Sequence, residues 1–344
     1  MRKMQVLAPA KINLSLKILG RRDDGFHEIE TLISPISLAD KIDIEPQSRW
    51  IDFSCDDPTV PGGDENLVVR AAKAFLEKTK ISSGVGIKLQ KQIPHGAGLG
   101  GGSSDAASVL VALNKLFETK LSGEELAKLG STLGSDVSFF LFESAAVCKG
   151  RGEIVSPAKV KKKFSILLLK PAFSVLSAWA YSRWQNSKEI PGISYLPQNF
   201  DAQDFVNDLE RPVFEKFVFL AQMKLWLMKQ PEVDATLMSG SGSTVFAVLR
   251  AKTDVDLLTK RAREELVFTG FQSLDRKLGV VRNLLPDRVP GRVIKSEGVL
   301  KLLRESSAAV RGDVEQQTVL RIIKLQTGSQ FVRCMNALTD DAFG

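Results

Sequence analysis

The sequence predicts an α+β fold, and three observations carry that prediction. Segments with strand periodicity come first and in blocks, rather than alternating strictly with helices. A glycine-rich run, Pro94-His-Gly-Ala-Gly-Leu-Gly-Gly-Gly-Ser-Ser104, sits between a strand-like segment and a helix-like one. A second glycine cluster, Ser239-Gly-Ser-Gly-Ser243, directly precedes the short apolar run Val245–Leu249.

Taken in order, Ile12, Leu14, Leu16 and Ile18 alternate with polar residues, a strand period rather than a signal-peptide core. Turn residues at Arg21–Gly25 lead to strands over Glu28–Leu38 and Lys41–Glu45. Asn66 is placed to cap a helix whose apolar residues (Leu67, Val68, Ala71, Ala72, Phe75, Leu76) share one face. Gly86–Lys91 reads as the strand entering the glycine run, and Ser104–Phe117 as a helix of small residues leaving it. Ser122-Gly-Glu-Glu125 is a capping box opening the next helix. Phe139–Lys149 and Phe164–Lys170 read as strands separated by a loop over Gly150–Lys163. Residues 175–187 and 203–229 carry helical periods, and Val245–Leu249 a buried strand. The expected domains are 1–158, 159–275 and a basic, partly helical extension over 276–344.

Composition narrows the chemistry. The 344 residues are 44% hydrophobic and 25% charged, as in globular proteins, and no apolar run reaches the ~18 residues of a membrane helix. A cytoplasmic protein with no membrane partner is expected. Cys55, Cys148 and Cys334 are odd in number and far apart, which argues against a disulfide framework and a zinc site. With only His27 and His95, a histidine-rich metal centre is excluded, leaving a hard ion such as nucleotide-borne Mg²⁺. Residues 276–344 hold twelve Lys/Arg against seven Asp/Glu, most of the net charge of +7. That tail has no basic block and no interleaved aromatics, so a nucleic-acid partner is not expected. A homodimer is left open.

The glycine run carries the sharpest chemical signal. Its glycines let successive backbone N–H groups face one concavity, and the following helix adds its unpaired N-terminal donors and the positive end of its dipole. Pro94, His95, Gly96, Ala97, Gly98, Leu99, Gly100, Gly101, Gly102, Ser103 and Ser104 are therefore expected to hold nucleotide phosphates, the two serines through their hydroxyls. No lysine follows as in GxxxxGK[ST], and the run is not a strict dinucleotide fingerprint. Phosphoryl transfer then needs a cation and a base from elsewhere. Lys11, in Pro9-Ala-Lys-Ile-Asn13, and Asp136, in Gly134-Ser-Asp-Val-Ser-Phe-Phe140, are the candidates, with local burial expected at Asp136.

Four segments together, PAKINLSLKILGRRDDGFHEIETL, KQIPHGAGLGGGSSDAASVLVALN, GSDVSFFL and MSGSGSTVFAV, resemble the motifs of the GHMP kinase superfamily. Asp24-Gly-Phe-His27 resembles the branch whose acceptor is a cytidyl diphosphate-linked methylerythritol. The resemblance covers residues 5–250 and implies a ribosomal-S5-like N-terminal lobe, an α+β C-terminal lobe and an active site between them. It implies ATP, accompanied by Mg²⁺, as phosphoryl donor, with Lys11 and Asp136 in the catalytic positions. Asn13 would orient the erythritol, His27 would bond the cytosine, and Phe26 and Tyr181 would cover its faces, with Phe173 and Trp179 close to Tyr181. Gly240 and Gly242 would contact substrate from the third glycine motif. His95 takes no individual role, Asn207–Glu210 matches a structural segment, and nothing after residue 275 resembles the family.

Overall fold

The computed structural model describes residues 3–142, 144–160, 164–201 and 203–267. The expected extension over 276–344 lies outside them, as does the run Lys161–Lys163. Residues Met1–Arg261 belong to one compact unit; beyond it only the last turns of the final helix are described.

The chain opens with two long strands, β1 (Met4–Arg21) and β2 (His27–Gln47), paired antiparallel from Met4↔Ile44 to Arg21↔His27. The separately expected strands at 28–38 and 41–45 are thus one. Next come β3 (Ile51–Cys55), α1 (Leu67–Thr79), β4 (Gly84–Gln90), α2 (Gly101–Leu116), α3 (Gly123–Leu133), α4 (Ser135–Leu141), β5 (Ala146–Gly150) and β6 (Ile154–Pro157). The expected caps are present: Asn66 Oδ1 accepts from Val68 N–H at 2.8 Å, and Ser122 and Glu125 form the reciprocal box.

The remainder comprises β7 (Ser165–Leu169), α5 (Ser177–Arg183) running into a 3₁₀ turn at Trp184–Asn186, β8 (Gln198–Phe200), β9 (Gln203–Asn207), α6 (Glu210–Lys216), α7 (Val218–Met228), β10 (Val233–Met238), β11 (Val245–Leu249) and α8 (Val255–Val267). The large sheet runs β3-β4-β2-β1-β9-β8, with β5 beside β2 and β6 beside β5. A second sheet runs β10-β11-β7. The boundary expected at 158/159 falls between β6 and β7, yet β9 returns to pair parallel with β1 at Ser15↔Val206.

β1 passes from one core to the other across the register shift between Pro9 and Lys11. Ala8 lies with Ile33, Ile42 and Ile44 under α1 and α2. Ala10, Ile12 and Leu14 join Ile166, Leu168, Phe246 and Val248 of the second sheet, together with Ile93, Ala97 and Leu99 of the glycine run. The fully buried Ala106, Ala107 and Ala112 are small enough to let α2 lie close on the sheet.

Two readings of local structure are corrected. The apolar run at Phe139–Leu141 is the end of α4, not a strand, and the strand starts at Ala146. α3 and α4 pack so closely at Gly130 that a β-carbon there would come within 3.0 Å of Val137. Within 203–229, the first five residues form β9, whose consecutive buried Phe205, Val206 and Asn207 lie where it pairs with β1 at Ser15↔Val206 and Leu16↔Asn207. Among the described residues no helix is long and apolar enough to cross a membrane.

α6 and α7 are joined by a buried ion pair, Glu210 to Lys224, whose side chains are 2% and 1% exposed. The other Glu210 oxygen accepts from Met238 N–H at 2.9 Å, just ahead of the second glycine cluster. Lys224→Met would leave that carboxylate buried without its cation, a loss of about 3–5 kcal/mol. The thermal midpoint should fall by ~10 °C, and adding Glu210→Gln should recover much of it. Calorimetry of the two variants checks both outcomes.

Candidate active site

Two residues apart on β1, Lys11 and Asn13 share the face opposite the Ala10–Ile12–Leu14 core and are 4% and 3% exposed. Lys11 Nζ donates to Asn13 Oδ1 at 2.7 Å, Asn13 Nδ2 to Thr31 Oγ1 at 2.8 Å, and Thr31 Oγ1 to the Ser15 carbonyl at 2.5 Å. This chain holds the lysine along the strand face. Asp136, in the first turn of α4, has Oδ2 3.7 Å from the ammonium. Its side chain is 39% exposed against 5% for Lys11, so the burial expected at the aspartate belongs to the lysine instead.

The glycine run is wedged between β1 and the turn after β10. Three successive carbonyls point away from the cleft: Leu99 O accepts from Lys11 N–H (2.9 Å), Gly98 O from Ser239 Oγ (2.9 Å) and Ala97 O from Thr244 N–H (3.2 Å). Ala97 and Leu99 bury their side chains in the second core. Gly98 has φ +74°, and a β-carbon there would lie 2.2 Å from Ser239 O, so only glycine fits. α2 begins at Gly101 with Gly100 as its N-cap and no side-chain cap bond. Its first-turn N–H groups therefore have no capping side chain competing with an anion.

On the far side of Lys11, Gly240 closes the centre; a β-carbon there would stand 3.3 Å from both Lys11 Nζ and Asn13 Oδ1. Asn207 Nδ2 holds this turn by donating to Met238 O (2.7 Å) and Gly240 O (2.8 Å). Beyond Asp136, the His27 and Tyr181 rings lie 5.5 Å apart at 30°, with Trp184 edge-on to His27 at 6.1 Å. Burial, then the Arg21 charge, lowers the His27 pKa. Burial, then Asp136, raises that of Tyr181. Lys11, Asn13, His27, Thr31, Asp136, Tyr181, Gly240 and the glycine run line one cleft of about 850 Å³.

Residues 66–144 match the family described as GHMP kinases N terminal domain. A 4-diphosphocytidyl-2-C-methyl-D-erythritol kinase of Methylacidiphilum infernorum (isolate V4) is 44% identical over 243 residues, 70% of this chain and 84% of that protein. One of Clostridium beijerinckii is 38% identical over 277 residues, 77% of this chain and 99% of that one. The chain belongs to the 4-diphosphocytidyl-2-C-methyl-D-erythritol kinase family. A crystal structure of 4-(cytidine 5'-diphospho)-2C-methyl-D-erythritol kinase superposes with TM-score 0.64 at 36% identity, covering 82% of this chain and 98% of that one. A homoserine kinase from Cytophaga hutchinsonii, at 17% identity and TM-score 0.55, shares the fold.

In this kinase-family chain the cleft brings together Lys11, Asn13, Phe26, His27, Asp136, Tyr181, Gly240 and the run from Pro94 to Ser103. Ser104 and Gly242 are corrections. Ser104 is fully buried within α2, off the cleft lining. Gly242 faces Met238 and Leu220. Phe26 is half exposed and lies beneath the Arg151 guanidinium, 4.9 Å from its ring centroid. Phe173 and Trp179 pack on Phe217, at 5.2 Å and 5.7 Å, leaving Tyr181 as the aromatic of its segment on the cleft.

Sequence reasoning missed Arg151, and at the opposite end Asn66, Leu67, Leu89, Lys91 and Asp105. Asn66 was legible only as a helix cap. Lys91 and Asp105 flank the glycine run at positions that read as a strand end and a helix surface.

Gly98→Ala should cost ~1–2 kcal/mol from backbone conformation alone, before its clash with Ser239. Both the thermal midpoint and ATP affinity should fall. At Gly102 a β-carbon would meet nothing closer than Leu67 at 3.7 Å. Gly102→Ala should therefore leave the midpoint within about 2 °C, because the added methyl neither clashes nor strains the backbone. Paired melting curves and ATP titrations check this.

Proposed function

We propose that the chain transfers the γ-phosphoryl group of ATP to the 2-hydroxyl of 4-diphosphocytidyl-2-C-methyl-D-erythritol, giving the 2-phosphate and ADP. The observation that carries the reading is one cleft in which the Lys11–Asp136 pair, 3.7 Å apart, lies between the glycine run and the His27–Tyr181 pair.

The phosphates of ATP lie along Gly96–Ser103 against the first turn of α2, where backbone donors and the helix dipole favour negative charge. The Ser103 hydroxyl is the side-chain donor to a phosphate oxygen. Asp136 takes the proton of the acceptor hydroxyl as its oxygen attacks the γ-phosphorus; the bond to the bridging oxygen breaks, and ADP leaves with the electron pair. Lys11 Nζ, fixed by Asn13, stabilises charge on the transferring group. Because Lys11 is already buried and oriented, little reorganisation is needed when that charge develops. Asn13 and Gly240 border the erythritol, and the cytosine sits between Tyr181 and the Phe26–His27 corner.

Among the described residues there is no cluster of three or more His, Cys, Asp or Glu able to cage a metal. A Mg²⁺ would be held mainly by the ATP phosphates, with the half-exposed Asp136 carboxylate as an oxygen donor at hand. When bound, the ion would neutralise phosphate charge.

ADP release measured with this acceptor alongside homoserine, mevalonate and galactose tests the assignment. Turnover confined to one of the latter three would reject it in favour of another small-alcohol kinase. Asp136→Asn should lower kcat by at least ~10²-fold with ATP binding retained; near-normal turnover would remove Asp136 from the base role. His27, with its pKa lowered, stays neutral through and somewhat below the ordinary histidine range. The acceptor KM should thus be flat above pH ~6.5 and rise only at more acidic pH, while the ATP KM does not follow. Initial-rate kinetics across pH, compared with His27→Ala, check the sign.

A further inference from the structure

Beneath the start of the glycine run, the Lys91 ammonium, 4% exposed, donates to both Asp40 Oδ2 and Asp105 Oδ2. Asp40 is 0% and Asp105 1% exposed, so one cation faces two buried carboxyls. The two are not equivalent. Besides Lys91, Asp40 accepts the backbone N–H groups of Gln92 and Ile93 at 2.5 and 2.8 Å, and each donor favours the anion. Asp105 has Lys91 at 2.9 Å, while its Oδ1 is buried with no hydrogen-bond partner. Two anions on one ammonium would leave a net negative charge out of water, and an unpartnered carboxylate oxygen makes that worse. The supply of donors decides where a proton goes: Asp105, with one donor and an orphaned oxygen, takes it.

We infer that Asp105 is a positioning residue of the nucleotide site, held as a neutral carboxylic acid beside the Lys91–Asp40 ion pair so that the cluster under the phosphate-binding run carries no net charge. The inference rests on the kinase reading above, with ATP at this end of the cleft. Lys91 and Asp105 both line that end, beside Asn66 and Leu67. The Lys91–Asp105 bond ties the end of β4 to the start of α2, the two banks of the run. An ionised Asp105 would set an extra negative charge in the wall facing a polyphosphate and draw Lys91 between two anions.

Burial pushes the Asp105 carboxyl up to about 8, with Lys91 opposing and Asp40 reinforcing the rise. Burial disfavours the Lys91 ammonium, but Asp105 and Asp40 together raise its pKa, so it stays charged. The other ionisable groups around the cluster are Asp56, which accepts the Lys91 backbone N–H at 2.8 Å, Cys55, on whose thiol Lys91 acts, and Glu65 at the cleft. Lys11 and Asp136 line the same cleft, whereas α1 buries the apolar Val68, Ala72 and Phe75.

The test is the affinity of the full chain for ATP alone, by titration calorimetry, together with the infrared C=O stretch of a protonated buried carboxyl. The apparent Kd for ATP should rise about tenfold between about pH 7 and pH 9, as the neutral, binding-competent fraction falls. Asp105→Asn, neutral at every pH, should abolish that rise and remove the infrared band. An equal rise in both proteins overturns the inference, as does absence of the band from the wild type. Should Asp105→Asn not fold, the wild-type band decides. A protein that shows the band but binds no ATP at either pH overturns the nucleotide role and with it the kinase reading; a missing band overturns the present inference alone.

Discussion

The site depends on how the glycine run is held. Its three consecutive carbonyls, from Ala97, Gly98 and Leu99, are taken by β1 and by the turn between β10 and β11. Those bonds fix the loop from the side away from the cleft, and Ala97 and Leu99 are driven into the second core in step with them. A flexible anion loop would lose conformational entropy on binding; a loop already ordered by its carbonyls and apolar side chains does not. The same bond that fixes Leu99 O uses the backbone of Lys11, so the glycine run and the Lys11 ammonium are tied to one residue. A shift of β1 would move both together, keeping their separation constant.

Placing Lys11 on a strand buried on both faces has an electrostatic consequence. The ammonium is desolvated, and its immediate partners are a neutral amide oxygen and a carboxylate held at 3.7 Å rather than at contact distance. A tight, fully buried pair like Glu210–Lys224 satisfies itself and would compete with a substrate for the cation. The Lys11–Asp136 pair does not close, and the half-exposed Asp136 keeps an oxygen accessible to an incoming hydroxyl. One pair builds structure and the other leaves room for chemistry; geometry, not residue type, separates them.

That contrast also explains what the sequence could reveal. Signals carried by local backbone physics were legible: the Asn66 and Ser122 caps, the strand at Val245–Leu249, and the glycine run with a strand before it and a helix after it. Lys11, Asp136 and His27 became readable only as members of one motif set, because alone each has an ordinary structural use. Long-range pairing was not legible. Phe205 and Val206 cannot announce that β9 crosses back to lie beside β1, and the run at Phe139–Leu141 suits a strand until α3 supplies Gly130 as a neighbour. Arg151 was missed because its role is set by Phe26, 125 positions away in the chain and 4.9 Å away in space. Lys91 and Asp105 were missed because their pairing depends on Asp40 from a different strand.

The β1–β2 hairpin joins the two recognition tasks. Its body carries Lys11, Asn13 and Thr31, while its tip, where Arg21 pairs with His27, carries the corner proposed to read the base. Along an antiparallel ribbon these positions are fixed by register, so under the proposed function the spacing of base and reacting hydroxyl is built into the hairpin itself. Between Lys11 and Arg21 the register shifts at Asn13/Ser15 and Ile18/Gly20 bend the strand. Bulges of this kind increase twist and re-aim side chains. A smaller acceptor alcohol could reach Lys11 and Asp136 without touching the tip, gaining nothing from it. An acceptor that spans the ribbon is held at both ends, and only such a molecule has its hydroxyl placed for attack by the same contacts that recognise its base.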